Sequence, residues 1–331
     1  MFVGDHDFAK RKVCIILHAE SEKQVEKLSS LVPDKDCRHF RNGPTNWTTQ
    51  LYIELKDRGY PVVASYKPMR GCLNIGHVSS LRVKDFGPEH FLVEILADRR
   101  PSGLAQAYVV QNKLLVSGHS HFWMPLWPQP GLVKRDPQRG TKIKTCAFAG
   151  RPGNLLGGSR LWVDALRKKG VAFQLLEPQE RGDLRHIDCL IGLRERKKKS
   201  SLFSNKPPSK LINAWLADIP FIGGNDSAYA QVGEPGIDYL VAETILEAMT
   251  HIDSLCRHPE LYTSLVKHGR IKGAHYTREA TVARWVDLLW SVLWPKYDEW
   301  RSRPYWSKAL RRYTYLGFRG MLRFRHARIK N

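Results

Sequence analysis

Four basic or hydroxyl residues stand at positions where they could bind a diphosphate. Arg151 and Arg194 each follow a short apolar run that predicts a buried strand. Ser209 and Lys210 come directly before an apolar pattern with helical spacing, so they belong to the start of a predicted helix. Guanidinium and ammonium groups bind phosphate oxygens, and the N–H groups at a helix N-terminus favour negative charge. Together these residues predict an anion-binding site.

Each of these residues also has a purely structural interpretation. Arg151 lies in a Gly–Arg–Pro–Gly turn, where it would be an ordinary surface arginine. Arg194 begins a run of basic residues, and such runs are usually solvated loops. Ser209 could simply cap the helix that follows it. The residue types alone leave both interpretations open.

An alternation of predicted strands and helices must position these residues. Short aliphatic runs alternate with segments of helical spacing in both halves of the chain, which is typical of α/β folds with open, mostly parallel sheets. The segment Phe122–Asp136 contains three prolines and two tryptophans, so we predict an irregular connection between two domains. The predicted units are Rossmann-like domains at residues 1–130 and 131–293 and a helical tail at residues 294–331.

The stretch from residue 205 to 240 reads NKPPSKLINAWLADIPFIGGNDSAYAQVGEPGIDYL. Together with the later run His275–Glu279, it resembles the donor-binding half of GT-B glycosyltransferases of the family-4 and family-1 kind. The resemblance extends from Lys144 to Leu289, roughly half the chain. It implies an α/β GT-B fold, in which two Rossmann-like domains face each other across a cleft. It also implies that the C-terminal domain binds a nucleotide-diphosphate sugar as donor, with no metal ion or cofactor required.

The resemblance also assigns roles to individual residues. Those that would bind the donor diphosphate are Arg151, Arg194, Ser209 and Lys210. Ser227 and Tyr229 would lie near the phosphates or the nucleoside. Many retaining members have two glutamates eight positions apart near this helix, whereas this chain has Asn205 and Asn213. The stereochemical outcome therefore stays open, and a non-catalytic GT-B-like partner protein is an alternative.

An inverting transfer would also need a general base near the acceptor hydroxyl, supplied by the N-terminal domain. His77 and Asp98 each follow a predicted strand there, and they are the candidate catalytic residues. The structural alternatives are a hydrogen-bonded core histidine and a salt bridge from Asp98 to a neighbouring arginine. His119 and His121 have a spacing that could bind a metal ion, but no third ligand is evident, so we predict no metal site.

The charge balance predicts an anionic partner, because 53 Lys and Arg residues against 32 Asp and Glu give a net charge of +21. Nucleic acid is one alternative, but the sequence has neither zinc-finger spacing nor an aromatic RNA-binding motif. Eleven basic and only two acidic residues lie in the tail, where apolar side chains recur with helical spacing. Such a tail favours an anionic membrane surface, and the alternative is that it packs on the N-terminal domain.

Two further features bear on where the protein acts. No apolar run is long enough to cross a bilayer, and the N-terminus lacks the pattern of a signal peptide. The six cysteines have no C-x-x-C spacing and indicate a reducing compartment. The sequence therefore predicts a cytoplasmic glycosyltransferase of the hexosyltransferase type, peripheral at the inner face of the membrane. Its predicted acceptor is a glycan or a lipid-linked glycan.

Overall fold

The computed structural model describes residues 8–178, 180–195 and 205–310 of the chain. Six parallel strands form the first sheet: β1 (Val13–Ile16), β2 (Val62–Ser65), β3 (Leu73–His77), β4 (Phe91–Ala97), β5 (Ala107–Val110) and β6 (His121–Trp123). Their order across the sheet is β2-β1-β3-β4-β5-β6. Five parallel strands form the second sheet: β7 (Thr145–Phe148), β8 (Ala172–Leu175), β9 (Cys189–Gly192), β10 (Phe221–Gly223) and β11 (Leu240–Val241). Their order is β11-β10-β9-β7-β8.

Helices connect these strands and cover the sheets. The α-helices of the described residues are α1 (Glu22–Ser29), α2 (Gln50–Lys56), α3 (Gly158–Arg167), α4 (Ser209–Leu216), α5 (Ser227–Ala230), α6 (Ile245–Arg257), α7 (Pro259–Gly273), α8 (Arg278–Val286) and α9 (Trp294–Ser302). Two π-helical segments, Thr45–Thr49 and Asp287–Leu293, precede α2 and follow α8. The predicted α/β alternation with two parallel sheets is therefore confirmed.

The last helices return from the C-terminal half to the N-terminal sheet. Trp285, Leu289 and Trp294 are buried in the same apolar core as Val13 and Leu51. The predicted second domain ends at residue 293, whereas the packing assigns the segment from α8 onward to the N-terminal core. The reason is that large apolar side chains continue through α8 and α9 and cover the face of the first sheet.

The predicted connection Phe122–Asp136 is irregular only in part, because its first two residues belong to β6. Arg135, near the end of this connection, links it to the second sheet. Its Nε donates to the fully buried carboxylate of Asp188 at 2.8 Å. Burial raises the pKa of Asp188, but hydrogen bonds from Arg139, the Lys144 N–H and Arg135 outweigh it, so this pKa lies below its ordinary value. A paired buried carboxylate of this kind fixes the chain where the second domain begins.

No helix in the described ranges combines the length and the apolar character that crossing a bilayer requires. The last described residues of the predicted tail, 305–310, are helical. The remainder of that tail, from residue 311, lies outside the described residues, as does most of the predicted basic loop after Arg194.

Candidate functional site

Each sheet has one position where the strand order reverses. This position lies between β1 and β3 in the first sheet and between β7 and β9 in the second. Open parallel sheets bind ligands beyond the carboxyl ends of the strands at such positions. His77 ends β3, Arg151 follows β7 and Arg194 follows β9. Three of the predicted site residues therefore lie where the topology favours a ligand.

The carboxyl ends of the two sheets meet across the cleft. Asp98, just after β4, forms an ion pair with Lys206, with 2.9 Å between Oδ2 and Nζ. Asn112, beyond β5, donates to the carbonyl of Lys206 at 3.1 Å and to Oγ of Ser227 at 3.4 Å. Asn205 donates to the carbonyl of Asp98 at 3.0 Å. Because the residues before α4 are held by the N-terminal half, both halves build one site.

Lys210 lies in the first turn of α4 and points its ammonium toward the end of β7. Its Nζ lies 5.0 Å from the centre of the Phe148 ring. In the part of the chain that the structure describes, this ammonium has no hydrogen-bond acceptor and no ion-pair partner. Burial, followed by the positive charge of Arg194, holds the pKa of Lys210 well below its ordinary value. A bound anion would offset both effects, so the position favours an anionic ligand.

The start of α4 is open to a ligand in two further respects. Pro208 occupies the N-cap position, and no described side chain accepts a hydrogen bond from the N–H groups of the first turn. Ser209 is therefore the first helical residue and does not cap the helix. Gly150 keeps the space beside Lys210 clear, because a Cβ there would lie 2.5 Å from Cε1 of Phe148 and 3.4 Å from Cε of Lys210. Backbone N–H groups and an ammonium thus converge as in other anion sites.

Arg194 is held between an acid and an aromatic ring. Its Nε lies 3.1 Å from Oδ2 of Asp226, and its guanidinium carbon lies 5.7 Å from the centre of the Tyr229 ring. Burial lowers the pKa of Arg194, but Tyr229 and Asp226 raise it by more. The guanidinium therefore stays charged beside Lys210, and a second cation is fixed in orientation at the site.

The predicted contact between Tyr229 and the donor is not supported by the structure. Tyr229 is 0% exposed, packs against Phe221 and Tyr239, and donates through its hydroxyl to the carbonyl of Gly192. A side chain without exposed surface orients Arg194 instead of touching a ligand. Ser227, which was predicted beside it, contacts Asn112 of the other half.

Arg151 is exposed at the carboxyl end of β7, as predicted. It forms no ion pair within the described residues. Burial lowers the pKa of nearby Arg181, and the positive charges of Arg151 and Arg41 lower it further despite Glu177. Three guanidiniums from three different loops therefore repel one another at this end of the cleft, which favours an anion among them.

His77 is buried at the end of β3, and its hydrogen bonds fix its tautomer. Nδ1 accepts the N–H of Ser79 at 3.1 Å, so the ring proton lies on Nε2. Nε2 has no partner among the described residues and faces Gly43, where a Cβ would lie only 3.0 Å away. Burial, and then the charge of Arg99, lower the pKa of His77 to about 4. With neither ring nitrogen free to accept a proton, this geometry fits a hydrogen-bond donor and not the predicted general base.

Asp98 has a partner that the sequence did not predict. Its salt bridge joins Lys206 across the cleft and not the adjacent arginines. Burial raises the pKa of Asp98, but the hydrogen bond and the charge of Lys206 outweigh it, so this pKa lies below its ordinary value. A carboxylate with a lowered pKa is a weaker base than one in water.

Asn213 is one of the two asparagines that stand where many retaining GT-B enzymes have glutamates. Its side chain accepts the N–H of Gln129 at 3.2 Å and so links α4 to the interdomain connection.

Of two cavities, one adjoins the cationic side chains at the strand ends and the other does not. A cavity of about 100 Å³ lies beside Arg194 and is lined by Leu156, Asn225, Asp226 and Glu243. A larger one, of about 660 Å³, lies at the interdomain connection and is lined by Pro128–Lys134 and the start of α8. The smaller cavity is the chemically relevant one, because it adjoins the cationic strand ends, whereas the larger cavity has its charged groups engaged in ion pairs.

The predicted absence of a metal site stays a prediction. His121 stacks on Tyr108 with ring centres 4.7 Å apart, and its Nδ1 lies 3.1 Å from Oγ of Ser120. Across the described ranges, no group of three or more His, Cys, Asp or Glu side chains is arranged to hold a metal ion.

Sequence reasoning missed three contributors to the site. Asp226 was predictable as a helix cap, because an Asp two residues before Ala228 commonly accepts its N–H. Arg181 follows β8 and satisfies the same strand-end rule that selected Arg151. No local sequence pattern predicts the role of Asn112, because its hydrogen-bond partners lie 94 and 115 positions away along the chain.

No protein-family model matches the sequence, and a comparison with curated proteins finds no match either. Solved structures do match its fold. HepE from Anabaena, in complex with UDP and glucose, is 10% identical, with a TM-score of 0.52 over 85% of this chain and 99% of that chain. Sucrose-phosphate synthase from Thermosynechococcus elongatus is 11% identical, with a TM-score of 0.52 over 85% and 98% of the chains. A glycosyltransferase from Rickettsia africae is 8% identical, with a TM-score of 0.51 and the same coverage. Two parallel sheets facing across a cleft, together with this likeness, show that the chain has the GT-B fold.

Proposed function

We propose that this protein is a glycosyltransferase that moves a hexosyl group from a nucleotide-diphosphate sugar to a hydroxyl of a glycan or lipid-linked acceptor, without a metal ion. The observation that carries the proposal is the half-buried Lys210 at the start of α4, whose ammonium has no hydrogen-bond acceptor and no ion-pair partner among the described residues. The solved structures with the same fold support it, because they include HepE in complex with UDP and glucose or with UDP-glucose, and a glycosyltransferase from Rickettsia africae.

The chemistry requires a group that stabilises the leaving diphosphate. When the bond between the anomeric carbon and the phosphate oxygen breaks, its electron pair stays on the nucleoside diphosphate. Lys210, Arg194 and the N–H groups of the first turn of α4 would meet that negative charge, with Arg151 at the outer end. Fixed charges need no reorganisation at the moment of reaction, and removing one such donor commonly costs roughly 100- to 1,000-fold in rate.

The nucleoside would occupy the cavity beside Arg194. Its lining combines the apolar Leu156 with the polar Asn225 and Glu243, and Asn225 donates to the Glu243 carboxylate at 3.0 Å. Apolar surface suits a base, and a carboxylate suits ribose hydroxyls. This position would place the diphosphate next to Lys210 and the sugar toward the N-terminal strand ends.

On the N-terminal side, His77 and Asp98 would act on the sugar and the acceptor. His77 would donate through Nε2 to a sugar or phosphate oxygen, since its Nδ1 is occupied. Asp98 is the carboxylate at the end of β4, and it would take the acceptor proton once Lys206 turns to the donor phosphates. Its pairing with Lys206 in the structure would then be the state before substrate binds.

A thermal-shift panel of nucleoside diphosphates and sugar nucleotides tests the proposal. A ligand that binds only the folded protein raises its stability by RT ln(1 + [L]/Kd), so a true donor should raise the melting temperature. Lys210→Met should raise the melting temperature of the ligand-free protein, because partial burial and the nearby Arg194 disfavour the charged form of this lysine, and should abolish the donor shift. Lys168→Ala, at the exposed end of α3, should change neither.

Three outcomes would contradict the proposal. If no member of the panel shifts the wild-type protein, the cleft is not a sugar-nucleotide site. If a sugar nucleotide binds but is neither hydrolysed nor transferred to any sugar acceptor, the non-catalytic alternative is favoured. Steeply salt-dependent binding of RNA or DNA with no nucleotide shift would favour a nucleic-acid-binding protein.

A further inference from the structure

The chain segment after α9 has three large apolar side chains that are more than half exposed. Tyr305 is 64% exposed, Trp306 69% and Leu310 55%. These are three of the exposed large apolar residues of the described chain, and they lie within six positions, whereas the others occur singly or in pairs. Isolated exposed apolar residues are normal on protein surfaces, but a contiguous group marks an interaction surface.

The aromatic residues just before this segment have the opposite environment. Trp294 and Tyr297 are 5% and 2% exposed in the N-terminal core, and the Trp300 ring lies 5.7 Å from that of Phe91 at the start of β4. The predicted tail therefore divides into two parts. Helix α9 packs on the N-terminal half, and residues 305–310 present their aromatic side chains outward.

Trp306 and Leu310 form one apolar strip, and Tyr305 lies at its side. Residues 305–310 are helical, and Trp306 and Leu310 are four positions apart, which places them on the same helix face. Tyr305 is adjacent to Trp306. Trp and Tyr prefer the boundary between lipid headgroups and hydrocarbon, and leucine prefers the apolar layer beneath.

The charge around this strip is positive. Arg301 and Arg303 are exposed, and only Asp298 and Glu299 of α9 carry negative charge nearby, where they pair with those two arginines. From residue 305 to 331 the sequence contains eight Lys and Arg residues and no Asp or Glu. Apolar anchors within a stretch of sequence that has an excess of cations suit an anionic lipid layer.

We propose that residues 305–310 dock the protein on an anionic bilayer, with Tyr305, Trp306 and Leu310 inserted among the headgroups. The surface follows α9, which packs on the N-terminal half. Lipid fits better than nucleic acid because Leu310 extends the strip beyond aromatic residues, and bases stack on aromatic rings but gain little from an aliphatic chain. The inference goes beyond the proposed function and does not depend on the identity of the donor.

Co-sedimentation of the full chain with sucrose-loaded vesicles tests it. We expect the wild-type protein to pellet with vesicles that contain phosphatidylglycerol, to pellet less as salt is raised, and to stay in solution with pure phosphatidylcholine. The double variant Tyr305→Ala/Trp306→Ala should reduce the partition coefficient by about tenfold or more. Leu246→Ala removes a 77% exposed apolar side chain on α6 and serves as the control, with unchanged partition.

Thermal unfolding of the double variant checks that it stays folded. The thermal-shift panel of sugar nucleotides on the same variant checks donor binding, so that a failure of lipid binding can be told apart from a failure of the proposed function. Equal pelleting of wild-type protein and double variant would overturn the inference, as would no pelleting of either. A change in sedimentation coefficient between the two without lipid would assign the strip to a second copy of the chain. Capture of single-stranded RNA, lost in the double variant, would assign it to nucleic acid. Either result would also overturn the lipid inference.

Discussion

Nε2 of His77 is a buried polar atom at the cleft, and the ammonium of the half-buried Lys210 lies on the other side of it. Neither group has a hydrogen-bond partner among the described residues. Buried polar groups are normally paired, because leaving one unmet costs about 1–3 kcal/mol. They lie at the strand-order reversals of opposite sheets, where a ligand that spans the cleft would contact both. The loss of stability at these residues is therefore consistent with a site that is completed by its substrate.

The depressed pKa of His77 gives a prediction for stability. The pKa is about 4 in the folded chain against an ordinary value of 6.5, so the unfolded chain binds more protons between these values. Stability should then fall as the pH falls through that window, by roughly 2 kcal/mol between about pH 7 and about pH 5. Urea unfolding at the two pH values measures the difference.

His77→Gln should remove most of this pH dependence, because the variant has no titrating ring. His119→Gln, at an exposed position, should keep the wild-type dependence. If the two variants behave alike, the buried environment of His77 is not the source of the pH dependence. The glutamine also keeps an N–H donor near the position of Nε2, so it should retain more transferase activity than His77→Ala.

At the scale of elements, α4 is positioned by the opposite half of the molecule. Gln111 and Asn112, just beyond β5, donate to the carbonyls of Asn205 and Lys206 before the helix, at 2.8 and 3.1 Å. Asp98 adds the ion pair to Lys206. The first turn of α4 therefore keeps the orientation in which its N–H groups face the cleft.

Asn112→Ala should weaken donor binding about tenfold, roughly 1.4 kcal/mol, because the segment before α4 loses its anchor. Isothermal titration with the nucleotide that gives the largest thermal shift measures this. Asn74→Ala is the matched control. It removes an equally buried asparagine whose hydrogen bonds to Met69, Cys72 and Phe91 stay within the N-terminal half. An equal loss of affinity in both variants would contradict a specific role for Asn112.

The elements themselves were largely predictable from local sequence. The run Val13–Ile16 is aliphatic and becomes a buried strand, and the helical spacing after Pro208 becomes α4. Lys210 was predictable for the same reason, because its position follows from a helix start. The Asp98–Lys206 pair was not, since it joins residues 108 positions apart and depends on how two sheets face each other. The burial of Tyr229 was not predictable either, because its predicted loop position gave no measure of burial.

At the scale of the whole molecule, the chain crosses the cleft twice. The connection around Arg135 leads from the first sheet to the second, and α8 leads back. Arg278, at the start of α8, binds Asp34 at 2.7 Å and Glu54 at 3.1 Å on the N-terminal half. The N-terminal core is therefore completed only by residues that follow the second sheet, which explains why a sequence boundary at 293 does not match the packing.

Trp285→Ala tests whether residues that follow the second sheet complete the N-terminal core. Trp285 is 0% exposed, and its ring packs edge-to-face on that of Trp47, with centres 6.4 Å apart. Removing it should lower the free energy of unfolding by about 3–5 kcal/mol, the usual cost of a large buried cavity. Trp306→Ala makes the same chemical change at a 69% exposed position and should cost less than about 0.5 kcal/mol. Urea unfolding measures both, and a similar cost for the two variants would mean that α8 does not form part of the N-terminal core. A large difference would mean that α8, which follows the second sheet in the sequence, completes the N-terminal core.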